Sequence, residues 1–258
     1  MPRIYNPADI RAILETDRAW AVYALGDLAP AFFPSCEWYA EPGGGPALAL
    51  LYRRFETPVL LTLGNAAALN RILDEIKDEH RMYLSLRPEA LPLVRARWTV
   101  RNEMAMWRMT VAPTDFRPAP LEGVEPLGPQ DVPALQRLYA EGEAAGEAPD
   151  FFSADMVEQG VFYGIWEGEA LVSAAGTHIV VPSEGVAAVG SVYTRRDRRG
   201  RGLAAQVTGA VTAALLSMKL RTVALNVNQR NAAAIHVYEK LGYRCYCPFY
   251  EGVAVRDG

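Results

Sequence analysis

The sequence predicts a mixed α/β protein made of two similar halves, and three features of the chain lead to this expectation. Strand-like apolar stretches alternate with segments of helical periodicity throughout. The order of these elements in residues 1–115 is repeated in residues 121–258. Between the halves, residues 112–130 hold five prolines, a density that interrupts both helices and strands. We therefore expect two domains, 1–115 and 121–258.

The first half has the pattern of a sheet with helices packed on its faces. Helices are predicted over residues 7–15, 18–28, 65–78 and 88–97. Strands are predicted over residues 36–40, 47–54, 58–63, 82–86 and 99–111. The strand-to-helix turn in this half reads LGNAAAL, residues 63–69, with one glycine and no arginine.

The second half has a related pattern with clearer helix boundaries. Strands are predicted over residues 124–127, 161–166, 170–181, 186–194, 222–227 and 243–249. Helices are predicted over residues 129–141, 153–159, 202–219 and 231–241. Ser153 and Asn231 are suited to cap the starts of two of these helices, and Gly242 to end the last one. The strand–helix–strand unit in the later part of this half predicts a parallel strand pair.

Composition and charge exclude several classes of protein. The 258 residues are half hydrophobic and carry a formal net charge of −4, so we expect no nucleic-acid partner. The three cysteines, Cys36, Cys245 and Cys247, form no CxxC, and neither they nor His80 and His236 have metal-site spacing. No signal pattern or stretch of 18 uncharged apolar residues is present. We therefore expect a cytoplasmic protein without a metal or a membrane partner.

The turn RRDRRGRGLA, residues 195–204, carries five arginines and two glycines between a predicted strand and a predicted helix. A helix N-terminus offers unpaired backbone N–H groups and a positive dipole end, and phosphate binds readily there. Glycines allow close approach of the backbone, and arginines add forked donors. The turn therefore predicts a pyrophosphate site.

Two other interpretations of this turn remain open. One is a surface turn whose arginines are simply solvated. The other is a dinucleotide-binding fold, because Gly200, Gly202 and Ala205 match a loose G-x-G-x-x-G/A pattern. That fold requires an acidic residue roughly 20 positions later. The corresponding stretch, LRTVALNVNQ at residues 220–229, contains none.

A third interpretation follows from a resemblance to the GNAT superfamily of N-acetyltransferases. Arg199, Gly202 and Ala204 match its R/Q-x-x-G-x-G/A motif, and the preceding strand AAVGSVYT is similar to the family's signature strand. A second stretch, LNVNQRNAAAIHVYEKLGYR, resembles the family's N-x-x-A-x-x-x-Y-x-x-L-G-F pattern. The matching residues are Asn231, Ala234, Tyr238, Leu241, Gly242 and Tyr243. The resemblance covers roughly residues 121–250.

The resemblance implies an acyl-CoA N-acyltransferase fold in two tandem copies, of which the first is degenerate, as in glycine N-acyltransferase-like and mycothiol-synthase-like proteins. It implies a cosubstrate, acetyl-CoA, and assigns residues to its parts. Pantetheine would be bound by the backbone of Val192, Tyr193 and Thr194. Pyrophosphate would be bound by Arg199, Gly200, Arg201, Gly202, Leu203 and Ala204. The side chains of Arg195, Arg196 and Arg198 would be solvated or would meet the nucleotide's 3′-phosphate.

Two residues of the second motif have a functional and a structural interpretation. Tyr238 is the expected general acid, since a phenol can protonate a departing thiolate. The alternative is a tyrosine that only packs in the core. Asn231 is expected to cap its helix and is a candidate contact of the pantetheine arm. The general base stays unassigned among Glu184, His178 and Glu143.

The predicted activity is direct transfer of an acetyl group from acetyl-CoA to a primary amine of a small molecule or amino acid. The first half would form one wall of the acceptor site, for which Trp20, Tyr23, Trp38 and Tyr39 are candidates besides core packing. Two alternatives remain: a non-catalytic acyl-CoA sensor, and an aminoacyl-tRNA-dependent transferase. The glycine-containing turn and the acidic composition disfavour the latter.

Overall fold

The computed structural model describes residues 3–40, 47–144, 146–147, 149 and 151–256 of the chain. The extreme ends of the two predicted domain ranges, 1–2 and 257–258, lie outside the described residues. The chain divides into two compact units. Unit 1 contains Met1–Arg108, Val227–Arg230 and Cys245–Gly258, and unit 2 contains Met109–Asn226 and Asn231–Arg244.

The elements in the first part of the chain follow the predicted order. They are α1 (Pro7–Leu14), α2 (Val22–Gly26), β1 (Cys36–Ala40), β2 (Leu48–Tyr52), β3 (Val59–Leu63), α3 (Ala66–Glu75), β4 (Arg81–Leu86), α4 (Leu91–Arg95) and β5 (Thr99–Val111).

The elements in the second part of the chain also follow the predicted order. They are β6 (Val124–Leu127), α5 (Val132–Glu143), α6 (Ala154–Gln159), β7 (Phe162–Glu167), β8 (Ala170–Val181), β9 (Val186–Thr194), α7 (Leu203–Ser217), β10 (Thr222–Asn228), α8 (Ala232–Lys240) and β11 (Arg244–Val255). The predicted mixed α/β fold is therefore confirmed.

Unit 1 contains a mixed sheet in the order β1-β2-β3-β4-β11-β5. Strands β3 and β4 are parallel and are joined by α3, while the pairs β1–β2, β2–β3 and β4–β11 are antiparallel. Strand β11 follows all elements of unit 2 in sequence, yet residues 250–255 pair with β4. The sequence predicts only residues 243–249 as this last strand, and the pairing with β4 extends it to Val255.

Unit 2 contains the strand order β10-β9-β8-β7-β6. Here β9 and β10 form the parallel pair predicted from the sequence, with α7 between them in the chain. The pairs β6–β7, β7–β8 and β8–β9 are antiparallel. Each unit thus contains one strand–helix–strand crossover with two parallel strands.

Each unit has its own apolar core. In unit 1 the buried face of α3, with Leu69, Ile72 and Leu73, packs with residues of the strands. In unit 2, Leu135, Leu138 and Tyr139 of α5 pack with residues of β7 and β8. Every fourth or third residue of these helices is apolar, so one stripe of each is removed from water on folding.

The aromatic residues proposed for an acceptor wall are placed mainly in the core of unit 1. Trp20 is fully buried, and Trp38 and Tyr39 are nearly so. The Trp20 indole donates to the Thr62 carbonyl at 2.7 Å. Core packing, the alternative interpretation, therefore describes Trp20, Trp38 and Tyr39.

Arg108 is the largest charged side chain in the buried part of unit 1. It is 0% exposed, and its guanidinium carbon lies 4.9–5.4 Å from the ring centroids of Trp20, Tyr23 and Phe249. Among the described residues none of its three guanidinium nitrogens has a hydrogen-bond partner. Burial lowers the pKa of this guanidinium. The guanidinium is stabilised by these aromatic faces and by attraction to Tyr23 and Glu251.

One predicted helix is much shorter than expected. The pattern over residues 18–28 predicts a continuous helix, but only Val22–Gly26 is α-helical. The Asp17 carboxylate accepts from the Trp20 backbone N–H at 3.3 Å. Such local side-chain bonds compete with regular helix geometry. Across the described ranges, no helix is long and apolar enough to span a bilayer.

Candidate functional site

The end of strand β9 forms one side of the candidate site. Its parallel pairing with β10 runs from Val186–Thr222 to Val189–Leu225. Among the described residues, that pairing does not continue along residues 190–194. The predicted site residues Val192, Tyr193 and Thr194 therefore lie where β9 has separated from β10. A strand edge of this kind offers backbone donors and acceptors to an extended ligand.

The glycine-containing turn follows directly and leads into α7. Gly200 and Gly202 have φ angles of 78° and 81°, which favour glycine. A Cβ built on either residue would have no neighbour within 4 Å, so the glycines are needed for backbone conformation and leave open space beside the turn. This agrees with the close approach that a phosphate requires.

The start of α7 has no side-chain cap. Its N-cap residue is Gly202, and the first backbone hydrogen bond of the helix joins the Gln206 N–H to the Gly202 carbonyl at 3.2 Å. The N–H groups in the first turn of α7, including those of Leu203 and Ala204, have no intrahelical acceptor. This helix start is therefore suited to bind an anion.

The arginine side chains of the turn are paired with carboxylates. Glu147 bonds to Arg196 at 2.9 Å and to Arg199 at 2.6 Å, and these partners lower its pKa to about 2. Glu167 is within 2.6 Å of Arg198 and 3.4 Å of Arg201. Exposed ion pairs of this kind contribute little to stability and can be exchanged for another anion. The backbone N–H groups therefore carry most of the expected phosphate recognition.

Arg199 also connects the turn to the strand before it. Its Nε donates to the Thr194 carbonyl at 3.1 Å, and its guanidinium lies 5.6 Å from the centroid of the Tyr193 ring. Because this side chain folds back onto β9, it holds the turn at the end of the strand. The sequence motif alone did not indicate this bracing contact.

Helix α8 carries the two residues singled out in the second motif. Tyr238 is buried, with 7% of its surface exposed, and burial raises its pKa to about 12. Its ring meets that of Tyr243 edge-on, with centroids 6.1 Å apart. The Asn231 side chain accepts from the Ala234 N–H at 3.1 Å, so the predicted helix cap is confirmed.

The three candidate bases lie in different places. Glu184 is in the turn before β9. The first residue of β9, Val186, is about 20 Å from Val192 along an extended strand, so Glu184 lies at the far end of β9. Glu143 is the exposed last residue of α5. His178 lies on β8, and a Cβ built on Gly190 would be 2.2 Å from its Nε2. His178 is therefore the candidate next to the separated part of β9.

Two features of the site were missed in the sequence: the pairing of Glu147 with the turn, and a bulge in β9 at Ser191. The bulge had a signal, since Gly190 interrupts a strand pattern and isolated strand glycines often mark bulges. Within the ranges that the structure describes, no group of three or more His, Cys, Asp and Glu residues is arranged to hold a metal ion.

Part of the chain matches a described family. Residues 162–250 match the family model of FR47-like proteins. Over 86 residues the chain is 36% identical to the mycothiol acetyltransferase of Geodermatophilus obscurus. That match covers 32% of this chain and 28% of the length of the mycothiol acetyltransferase.

Solved structures share the fold over nearly the whole chain. A GCN5-related N-acetyltransferase from Kribbella flavida has a TM-score of 0.63 at 16% identity, with 93% of this chain and 95% of that chain covered. A tandem GNAT protein from the clavulanic acid biosynthesis pathway has a TM-score of 0.52 at 15% identity, with 98% of each chain covered. The chain therefore has the fold of GNAT proteins.

Proposed function

We propose that this GNAT-fold chain is an acyl-CoA-dependent N-acyltransferase, most specifically an N-acetyltransferase, that transfers an acetyl group directly to a primary amine. The acceptor would be a small molecule or an amino acid. The observation that carries the proposal is the separation of β9 from β10 beside a helix start that has no side-chain cap. An extended arm can pair with the strand edge while a pyrophosphate meets the helix N-terminus.

The residues of the turn fit the phosphates of acetyl-CoA. Gly200 and Gly202 leave the space beside the backbone open. The N–H groups of Leu203 and Ala204, at a helix start without a side-chain cap, would donate to a phosphate oxygen. The backbone of Arg199 and Arg201 would complete this pyrophosphate site. Their side chains, now paired with Glu147 and Glu167, would exchange a carboxylate for a phosphate oxygen.

The strand end would bind and orient the reactive part. When bound, acetyl-CoA supplies an activated acetyl group as a thioester. The backbone of Val192, Tyr193 and Thr194 would bond the pantetheine arm, and one of these N–H groups would polarise the acetyl carbonyl. A preorganised donor at such a position stabilises developing negative charge without reorganisation cost.

Tyr238 would supply the proton that the departing sulfur needs. A pKa of about 12 keeps this phenol protonated across the physiological range, as a donor requires. Asn231 would contact the pantetheine arm from the start of α8 besides capping that helix. For the base we favour His178, because its ring lies against Gly190, two residues before Val192.

The test is isothermal titration of the purified protein with acetyl-CoA, beside an Arg199→Glu/Gly202→Glu double variant. The wild type is expected to bind one acetyl-CoA, and the double variant to bind at least about 100-fold more weakly, a loss of roughly 2.8 kcal/mol. Arg244→Glu is the control, since its side chain is 75% exposed and lies outside the turn. It should bind like the wild type.

A wild-type protein that binds neither acetyl-CoA nor CoA would contradict the proposal. Acetyl transfer to a broad panel of amines is measured as release of the CoA thiol. Binding of acetyl-CoA without transfer to any of these amines would identify a sensor in place of an enzyme. Transfer to one class of amine would also identify the acceptor chemistry.

A further inference from the structure

Strand β9 contains a bulge at the point where it separates from β10. Tyr193 pairs with Ala174 and Gly190 pairs with Gly176, so two residues of β9 oppose one residue of β8. The first of these two is Ser191, whose φ angle is +51°. This left-handed conformation is unfavourable for a residue with a Cβ, because the Cβ comes close to the following carbonyl oxygen. The bulge therefore needs contacts that hold it.

Tyr139 of α5 makes the strongest of these contacts. Its hydroxyl donates to the Ser191 carbonyl at 2.7 Å, and the residue is only 6% exposed. The Ser191 hydroxyl adds a weaker bond to the Phe151 carbonyl at 3.5 Å. Burial raises the pKa of the Tyr139 phenol, so it remains a donor at any ordinary pH. Its ring is fixed edge-on against Phe152, with centroids 4.8 Å apart.

The bulge determines where the next backbone groups point. An extra residue in a strand turns the residues after it and increases the local twist. Here those residues are Val192, Tyr193 and Thr194, which the proposed function assigns to the thioester and the pantetheine arm. A donor to a reacting carbonyl is effective only within about 2.7–3.1 Å of the developing charge. A small relaxation of the bulge would therefore change the distance between the backbone N–H and the acyl carbonyl.

We propose that Tyr139 is a positioning residue: through its hydrogen bond to the Ser191 carbonyl it holds the β9 bulge and so aims the backbone N–H that polarises the acetyl group. This inference rests on the proposed function. Tyr139 does not touch the acyl group in this account, and acts only through the conformation of Ser191.

The experiment uses acetyl-CoA labelled with ¹³C at the thioester carbonyl, so it needs no identified acceptor. The ¹³C chemical shift of the carbonyl is measured free and bound, and the difference reports how strongly the carbonyl is polarised. In Tyr139→Phe the ring and its packing are retained, and the difference should fall to less than half of the wild-type value. Affinity for acetyl-CoA should stay within about threefold, because the turn at residues 199–204 is unchanged.

Tyr83→Phe is the matched control. The Tyr83 hydroxyl donates to Glu251 at 2.9 Å in unit 1, so this variant also loses one tyrosine hydrogen bond. It should lower the melting temperature to an extent similar to Tyr139→Phe and leave the ¹³C shift difference unchanged.

A glycine at position 191 provides a rescue that a merely structural tyrosine would not show. Glycine adopts a positive φ without the Cβ penalty. Ser191→Gly in the Tyr139→Phe background should therefore restore most of the ¹³C shift difference. Ser191→Val tests the same point with Tyr139 intact, because a β-branched residue disfavours positive φ. It should reduce the shift difference as Tyr139→Phe does.

Three outcomes would overturn the positioning role: a bound wild-type carbonyl with the free shift, a Tyr139→Phe shift equal to the wild type, or a loss that Ser191→Gly fails to restore. If Tyr139→Phe does not fold, Ser191→Val still tests the step on which the role depends. An unchanged ¹³C shift difference in Ser191→Val would overturn the role, and a reduced one would support it. A wild type that does not bind acetyl-CoA contradicts the proposed function itself, which distinguishes the two failures.

Discussion

The two units differ in how the N-termini of helices α3 and α7 are capped. Both helices follow the first strand of a parallel pair. Helix α3 is capped by Asn65, whose side chain accepts from the Ala68 N–H at 2.9 Å. Helix α7 begins at Gly202, which has no side chain to offer. Helix α3 thus has one of its first N–H groups bonded by a side chain, whereas α7 has no side-chain cap.

The strands before these helices differ in the same sense. In unit 1 the pairing of β3 with β4 ends at Leu61, and the carbonyl of the next residue, Thr62, is taken by the buried Trp20 indole. In unit 2 residues 190–194 separate from β10 beside an open turn. Under the proposed function, the crossover of unit 2 binds acetyl-CoA because no side-chain cap occupies its helix start.

The largest effect is expected at Tyr238 in unit 2. Tyr238→Phe should lower kcat for acetyl transfer by about 10²- to 10⁴-fold, the usual contribution of proton transfer. Affinity for acetyl-CoA should be unchanged, because the turn is intact. Steady-state kinetics with the best amine of the panel, together with titration, measure both. Equal kcat values for the variant and the wild type would remove Tyr238 from the mechanism.

Removal of the indole from unit 1 should affect stability alone. Trp20→Ala is expected to lower the free energy of unfolding by about 3–5 kcal/mol, as for other large buried aromatics. Denaturant unfolding measures this. Titration of the folded variant should still give one acetyl-CoA per chain, because Asn65 continues to cap α3. A second bound acetyl-CoA would show that the Trp20 indole alone prevents unit 1 from binding acetyl-CoA.

Arg108 provides an intermediate effect of opposite sign. Arg108→Met should raise the free energy of unfolding by about 1–4 kcal/mol, because it replaces a buried charge by an apolar chain. Arg97→Met is the control in the same unit, since Arg97 bonds to Asp74 and to the Asn70 and Leu93 carbonyls. That variant should be destabilised. A destabilised Arg108→Met would show that the aromatic faces more than offset the cost of burial.

The smallest effect is expected at the two helix caps. Asn65→Ala and Asn231→Ala should each cost about 1 kcal/mol of stability. Only Asn231→Ala should also weaken acetyl-CoA binding, because the proposed function gives Asn231 a contact with the pantetheine arm and gives Asn65 none. Thermal unfolding and titration of both variants test this difference. Equal affinities of the two variants for acetyl-CoA would show that Asn231 only caps helix α8.

Much of the fold followed from local patterns, because strand alternation, helix stripes and caps such as Asn231 are properties of neighbouring residues. The conformation of the turn at residues 199–204 was also a local property, since Gly200 and Gly202 set its backbone within a few positions. Contacts between segments that are distant in the sequence could not be predicted from local patterns. Tyr139 meets Ser191 across 52 positions, and Glu147 meets Arg199 across the same separation. Nothing in either stretch alone indicates its partner.

Strand β11 gives the chain an order of assembly. The sheet of unit 1 is made of residues near the beginning of the sequence and of residues 244–255, with all of unit 2 translated in between. On the ribosome, β4 must therefore wait with an unpaired edge until the segment that covers it emerges. Unpaired edges invite pairing with other chains. The sooner β11 pairs with β4 after its synthesis, the shorter the time in which nascent unit 1 is prone to aggregation.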